Sequence, residues 1–312
     1  MNWLGSQGEP FVFVIDYTGR EAKLFTTNDS SEILWEIPGR SNFTEIQQKP
    51  LLKNWKLNPV SFEKYKRGFD IVQQHIHNGD TYLLNFTQPT QVECNLSLHE
   101  IFEASNALYR ILWKDKFVCF SPETFVRIEN GQIFSFPMKG TIDAGIENAK
   151  QVILNDSKET AEHNTIVDLI RNDLSRVAKE VTVEKFRYLE RIKTNEKDLW
   201  QVSSKISGKL SENYAENIGN IIFSLLPAGS ISGAPKKKTT EIIAESEKYD
   251  RGFYTGIFGV FDGKDIDSCV LIRFIENTNR GLVYKSGGGI TFMSESRNEY
   301  NEMLKKVYVP VH

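Results

Sequence analysis

Two pairs of glutamates are the residues best placed to do chemistry: Glu159 and Glu162 in SKETAEHNTIVDLIRND, and Glu299 and Glu302 in SESRNEYNEMLKK. Each pair is spaced i, i+3 in a segment that reads as a helix, which brings both carboxylates to one face. In the first segment that face continues through Ile166, Leu169 and Ile170, the stripe expected to face a core. Carboxylates at the head of a buried stripe are costly unless a cation neutralises them. Oxygen donors suit Mg2+, which keeps several waters and shares its shell with a substrate carboxylate or phosphate. A solvated surface face is the alternative for either pair alone. Two pairs, the second following a Ser-Gly-Gly-Gly run, favour a metal site.

Four other places carry chemical potential. Ser286-Gly287-Gly288-Gly289 lies between the strand-like LVYK and the last helix, and reads as a loop whose N–H groups can approach an anion. A flexible turn is the plainer reading. In AGSISGAPK, residues 228–236, Pro235 suits the first position of a helix running through Glu241. Ser230, Ser232 and Gly233 would then surround a helix N-terminus, where unpaired N–H groups favour an anion. Lys139, in Pro-Met-Lys-Gly-Thr at a strand end, is either a surface turn or an amine nucleophile activated by burial beside cations. Glu123, in Ser-Pro-Glu, could act as a general acid, and Arg273, mid-strand in Cys269 to Ile275, could clamp a carboxylate.

The elements that must position these residues are mixed. Phe11 to Asp16 reads as a buried strand, turning at Thr18-Gly19 into a second around Lys23 to Thr26. Residues 38–59 look like an excursion or linker. Ser61 starts a helix that ends at Gly79; a strand follows over Tyr82 to Thr87, a helix over Leu98 to Tyr109, and a strand over Lys116 to Phe120. Asn130-Gly131 is the strongest hairpin signal. Helices follow near 157–178 and 214–226, hairpins near 253–275 and 282–291, and a last helix over 296–307. Hairpins alternating with helices predict an α+β fold with large mixed sheets.

Composition sets outer bounds. The chain has 312 residues, 40% hydrophobic, with a formal net charge of −3. Nothing there favours nucleic acid or an anionic membrane as partner. Cys94, Cys119 and Cys269 are isolated and fit no disulfide framework, so a reducing, cytoplasmic setting is expected. No secretory signal or spanning apolar run is visible.

In chain order, SPE (121–123), PMKGT (137–141), KETAEHNTIVDLIRND (158–173), PAGSISGAPK (227–236), RGFYTGIFG (251–259), LIR (271–273) and SGGGITFMSESRNEYNEMLKK (286–306) resemble the chorismate-utilising enzymes. This is the family of anthranilate, aminodeoxychorismate, isochorismate and salicylate synthases, and the resemblance covers most of the chain. It implies the layered α+β sandwich of anthranilate synthase component I. Residues 1–57 would be a short N-terminal strand region completing the fold, and 58–312 the chorismate-binding catalytic domain. It also implies chorismate as substrate and Mg2+ as cofactor, with Glu162 and Glu302 as ligands and Glu159 and Glu299 close behind. Ser230, Ser232, Tyr254, Arg273, Gly287, Gly288, Gly289 and Lys306 match groups that bind substrate. Glu123 matches the acid that assists departure of the ring hydroxyl.

Lys139 separates the branches. Pro-x-Lys-Gly-Thr is similar to the aminodeoxychorismate-forming branch, which leads to 4-aminobenzoate and folate; anthranilate-forming relatives, the alternative, usually carry alanine there. The implied role of Lys139 is covalent: it adds to the ring as the 4-hydroxyl leaves, and ammonia then displaces it. Ammonia is expected from a separate glutamine amidotransferase subunit, because the cysteines show no Cys–His–Glu pattern. Two departures bear on the outcome. Gln201 stands where many relatives have histidine, and Leu83 where isochorismate formers carry a water-activating lysine. Neither elimination of pyruvate nor attack by water is therefore expected. The N-terminal region shows no tryptophan-binding segment, so feedback by tryptophan is not expected.

Overall fold

In the computed structural model, which describes residues 1–192 and 198–311 without the Lys158 side chain, Asn130 and Gly131 take φ of 51° and 76°. That is the left-handed pair a tight hairpin turn requires, and it joins strand Thr124–Glu129 to Gln132–Ser135 in antiparallel register. The strands of the chain form two large antiparallel sheets with flanking helices, the α+β arrangement expected. Among the described residues, no helix is long and apolar enough to cross a membrane.

The chain divides into two compact units. The first comprises Met1–Pro10, Thr124–Ser230 and Phe261–Asp267. Its centre is strand Leu199–Lys209, which pairs with Lys179–Ile192 on one edge and with Gln132–Ser135 and then Met138–Asp143 on the other. The first of these partners was not legible in KEVTVEKFRYLERI, because charges fall on both faces and hide the alternation. It is an exposed edge, and register shifts interrupt its pairing near Glu180 and Arg187, both at positive φ. Helix Ser157–Leu174 packs on this ladder.

The second unit comprises Phe11–Glu123, Ile231–Val260 and Ser268–His312. One sheet runs in the order Gly233–Ala234, Leu83–Glu93, Gly281–Ile290, Phe274–Thr278, Phe117–Ser121, Tyr109–Trp113, Ile33–Ile37, Arg40–Ser41. Two apolar clusters cement this unit. One is built round Trp35, Trp113, Phe117 and Phe258, the other round Phe102, Phe120, Ile275 and Tyr284. Helix Phe62–His77 is capped by Ser61, whose side chain accepts from Lys64 N–H, and it packs against Lys236–Glu247 and Ser296–Lys305.

Two sequence expectations change here. The helix expected over Leu98 to Tyr109 stops at Ala104, and Tyr109–Trp113 is a central strand paired with Ile33–Ile37 and Phe117–Ser121. Its aromatic and β-branched residues bury on both sides. The 38–59 stretch is mostly irregular, yet Phe43, Leu52, Trp55 and Leu57 pack on the second cluster, and Lys56–Pro59 pairs with Leu83–Glu93.

Candidate functional site

In the first unit, Lys139 lies opposite Val202 on strand Met138–Asp143. The register shifts between Lys139 and Thr141, where Gly140 takes a φ of 76°, so a glycine-permitted bulge re-aims the strand beside the lysine. Lys139 Nζ lies 3.1 Å from Glu162 Oε2, and both side chains are largely buried. A Cβ added at Gly140 would sit 2.9 Å from Glu159 Oε2, so the glycine also clears room for the second carboxylate. Asp156 caps the helix by accepting from Glu159 N–H at 2.9 Å. Glu159 in the first turn complements the helix dipole.

The buried stripe of this helix is shifted from the one expected. His163, Ile166, Val167 and Leu174 are buried, whereas Glu159, Glu162, Leu169 and Ile170 are half-buried. The glutamates therefore flank the stripe instead of heading it, which leaves them open on one side. Sequence reasoning passed over His163, although its i+3 and i+4 spacing to Ile166 and Val167 marks it. Its Nε2 lies 2.6 Å from Ser204 Oγ, which also accepts from Arg187 N–H at 3.0 Å. Burial, aided by the positive charges of Arg187 and Lys139, pushes its pKa down to about 4, so the ring is neutral near pH 7.

Gln201 is held differently. Its Nε2 donates to Met138 Sδ at 3.2 Å and Ser203 Oγ at 3.4 Å. Strand alternation puts Met138, Gln201 and Ser203 on one face and Lys139 and Val202 on the other. The structure does not bring Gln201 to the lysine's face.

In the second unit, the Ser-Gly-Gly-Gly run is not a loop. It belongs to strand Gly281–Ile290, with Gly287, Gly288 and Gly289 opposite Thr87, Phe86 and Asn85. The glycines answer to close packing: a Cβ at Gly287 would run into the Phe86 carbonyl oxygen. At Gly288 it would meet Lys306 Nζ at 3.4 Å, Glu302 Oε1 at 3.5 Å and Glu299 Oε2 at 3.6 Å. The bare backbone there forms the floor under three charged side chains. Lys306 Nζ donates to Glu302 Oε1 at 2.7 Å and to the Gly287 carbonyl at 2.9 Å. Ser294 Oγ donates to Glu299 Oε1 at 2.7 Å, and Glu299 is buried.

The remaining residues are placed as follows. Arg273 has a φ of 55° between strands Ile266–Val270 and Phe274–Thr278. Its Nε is buried without a hydrogen-bond partner among the described residues. Tyr254 is buried close by, and burial pushes its phenol pKa up against the lowering charge of Arg251. Glu123 is half-buried just past strand Phe117–Ser121, where its N–H donates to Ser121 Oγ at 3.1 Å. Leu83 is buried and pairs with Ala234. Pro235 is the cap, not the first residue, of helix Lys236–Glu247. Ser230 and Ser232 sit in a separate helical turn, Gly229–Ser232, and Gly233–Ala234 pairs with Leu83 and Leu84 before the helix starts.

The donors fit Mg2+ in kind. Among the described residues no three His, Cys, Asp or Glu side chains gather to hold a metal by themselves. Mg2+ needs only one or two carboxylates beside waters and substrate oxygens. Each unit offers a glutamate pair beside a glycine-cleared surface, at Gly140 and at Gly288.

The model of the family described as chorismate binding enzyme matches residues 17–312. A Haemophilus influenzae protein named uncharacterized PabA-like protein is 49% identical over 99% of this chain and 95% of its own length. Aminodeoxychorismate synthase component 1 of Bacillus subtilis is 29% identical, over 89% of this chain and 61% of its own. Anthranilate synthase component 1 of Acetivibrio thermocellus is 33% identical, over 79% of this chain and 52% of its own. The chain thus spans only part of the length of those two relatives. Among solved structures, anthranilate synthase component I from Streptococcus pneumoniae aligns with a TM-score of 0.71 and 27% identity, covering 84% of this chain and 60% of that one. The menaquinone-specific isochorismate synthase MenF from Escherichia coli shares the fold at a TM-score of 0.69 and 17% identity, covering 98% and 89%.

Proposed function

The chain belongs to the chorismate binding enzymes and acts on chorismate, and we propose that it replaces the 4-hydroxyl of chorismate with ammonia, as an aminodeoxychorismate synthase component I. The observation that carries this reading is Lys139, held in Pro-Met-Lys-Gly-Thr with its Nζ 3.1 Å from Glu162. A primary amine on a bulged strand, with one carboxylate positioned to take its proton, is equipped for nucleophilic substitution.

In the proposed sequence the Lys139 ammonium first passes a proton to Glu162, and the neutral Nζ then forms a bond to the ring while the 4-hydroxyl departs as water, with Glu123 giving the proton that makes water the leaving group. Ammonia then forms the new C–N bond, and the lysine leaves with its electron pair and is regenerated. Chorismate is a dicarboxylate, and Arg273, Tyr254 and Lys306 are the groups offered to its carboxylates. Mg2+, when bound to the glutamates, would neutralise their charge and that of a substrate carboxylate. Buried Leu83 offers no base to water, and Gln201 no titrating group. The ammonia would come from solution or from a separate glutamine amidotransferase subunit.

Anthranilate synthesis remains the second reading, favoured by the 33% identity to the Acetivibrio component. Mass spectrometry separates the two. Incubated with chorismate and Mg2+ but no ammonia, the protein should gain the mass of chorismate less one water, mapped to Lys139. Lys139→Ala should gain nothing and lose at least about a thousandfold in amination, roughly 4 kcal/mol of barrier. Amination at an undiminished rate by Lys139→Ala would overturn the covalent role.

A further inference from the structure

We infer that Tyr308 is a positioning residue for Arg273, which makes the tail after the last helix part of the apparatus that binds a substrate carboxylate. The inference rests on the proposed role of Arg273 and extends it to a residue that no motif marks.

Arg273 cannot hold its pose by its own backbone. Its φ of 55° lies in the left-handed region, where a non-glycine residue is held only by its surroundings. The main chain is pinned on both sides: the Arg273 carbonyl accepts from Phe120 N–H at 3.1 Å, and Cys119 Sγ donates to the Ile272 carbonyl at 3.0 Å. The side chain is less tightly held. Nε is buried without a partner among the described residues, so the orientation of the guanidinium must come from what surrounds its far end.

What surrounds it is the ring of Tyr308, whose centroid lies 5.4 Å from the guanidinium carbon. The electron-rich Tyr308 ring is among the groups that favour the charged form of Arg273. Tyr308 is itself anchored through its backbone, because its carbonyl accepts from Tyr284 OH at 3.1 Å, and Tyr284 is fully buried. The tail on either side is sewn to the sheet. Trp55 Nε1 donates to the Val307 carbonyl at 3.2 Å, Asn106 N–H donates to the Pro310 carbonyl at 2.6 Å, and Ser105 bridges to Val311. A tail fixed this firmly carries one aromatic side chain that is 45% exposed, and that side chain lies against the guanidinium. An exposed tyrosine on a rigid strap is explained by the group it holds.

Contact with the ring biases the plane of the fork but leaves N–H groups of the guanidinium for a carboxylate. The contribution is made equally in ground and transition states, so it should appear in affinity and not in turnover.

The test uses the full chain with three substitutions, Tyr308→Phe, Tyr308→Ala and Arg273→Ala. Calorimetry reads chorismate binding in the presence of Mg2+, and steady-state assays read KM and kcat. Tyr308→Ala should weaken chorismate about tenfold and raise KM in step, with kcat within about twofold of the parent, on the scale of one partly buried cation–π contact. Tyr308→Phe should recover most of that loss, because it keeps the ring against the guanidinium. Unchanged affinity in both Tyr308 variants, while Arg273→Ala binds weakly, would overturn the positioning role and leave the reading of Arg273 standing. Unchanged affinity in Arg273→Ala would remove the premise itself. Melting temperatures accompany each variant: a large drop in Tyr308→Ala with kcat and KM both degraded, and no recovery in Tyr308→Phe, would mark a merely structural residue and also overturn the inference.

Discussion

At the scale of the residue, the proposed chemistry rests on a few charged side chains with defined partners. Lys139 with Glu162 and Lys306 with Glu302 form a lysine–glutamate pair in each unit. Removing either carboxylate leaves a lysine without its counter-charge and takes away a hard oxygen donor. Glu162→Gln and Glu302→Gln are each expected to weaken Mg2+ binding at least about tenfold by calorimetry, and to weaken the mutual enhancement between Mg2+ and chorismate; wild-type affinity in both variants would remove them as ligands. His163 gives a pH signature. Its folded pKa, pushed down to about 4 chiefly by burial, lies below the unfolded value of about 6.5. The unfolded chain therefore binds more protons in between, so this contribution is complete above about pH 6.5 and is lost as pH falls through 4. Asp80 and Glu100, whose pKa values are held low by hydrogen bonds to His75 and to Ser97, lose their contributions only below about pH 4.5, so the slope above that pH tests His163. Thermal melts should show stability falling between pH 6.5 and 4.5, with a flatter slope in His163→Asn. An identical slope in the variant would show that another group sets the dependence.

At the scale of the element, the sequence was readable wherever a local rule decided the structure. Asn130-Gly131 could be read because only a few residues accept positive φ, and Ser61 because a cap must offer an oxygen. The glycines at 287–289 could not be assigned from sequence. The same composition suits a loop that cradles an anion and a strand whose neighbours press close, and only the pairing with Leu83–Glu93 decides. Residue types alone marked both glutamate pairs and Lys139 as the candidate site, but the helix stripe was misplaced and His163 and Tyr308 went unseen. Their meaning depends on partners distant in sequence, Ser204 for one and Arg273 for the other. The strand makes a paired prediction. Gly287→Ala pushes a methyl into the Phe86 backbone and should destabilise by about 1–3 kcal/mol. Gly288→Ala meets mainly the ends of flexible side chains, so it should keep its melting temperature and lose chorismate affinity. The reverse pattern in melting and binding would contradict this account of the glycines.

At the scale of the whole molecule, the chain is a chorismate binding enzyme that spans 61% of the Bacillus aminodeoxychorismate synthase component and 95% of the Haemophilus PabA-like protein. Family membership leaves the reaction open, since the relatives include both an anthranilate synthase component and an aminodeoxychorismate synthase component. The choice falls to the lysine at 139 and to the absence of a titrating side chain at 83 and 201. The most direct measurement is the product formed from chorismate, ammonium and Mg2+ by the unmodified chain, resolved by chromatography without any added lyase. The account predicts one non-aromatic product, 4-amino-4-deoxychorismate, with little isochorismate. Accumulation of fluorescent anthranilate, or of isochorismate as the main product, would contradict it.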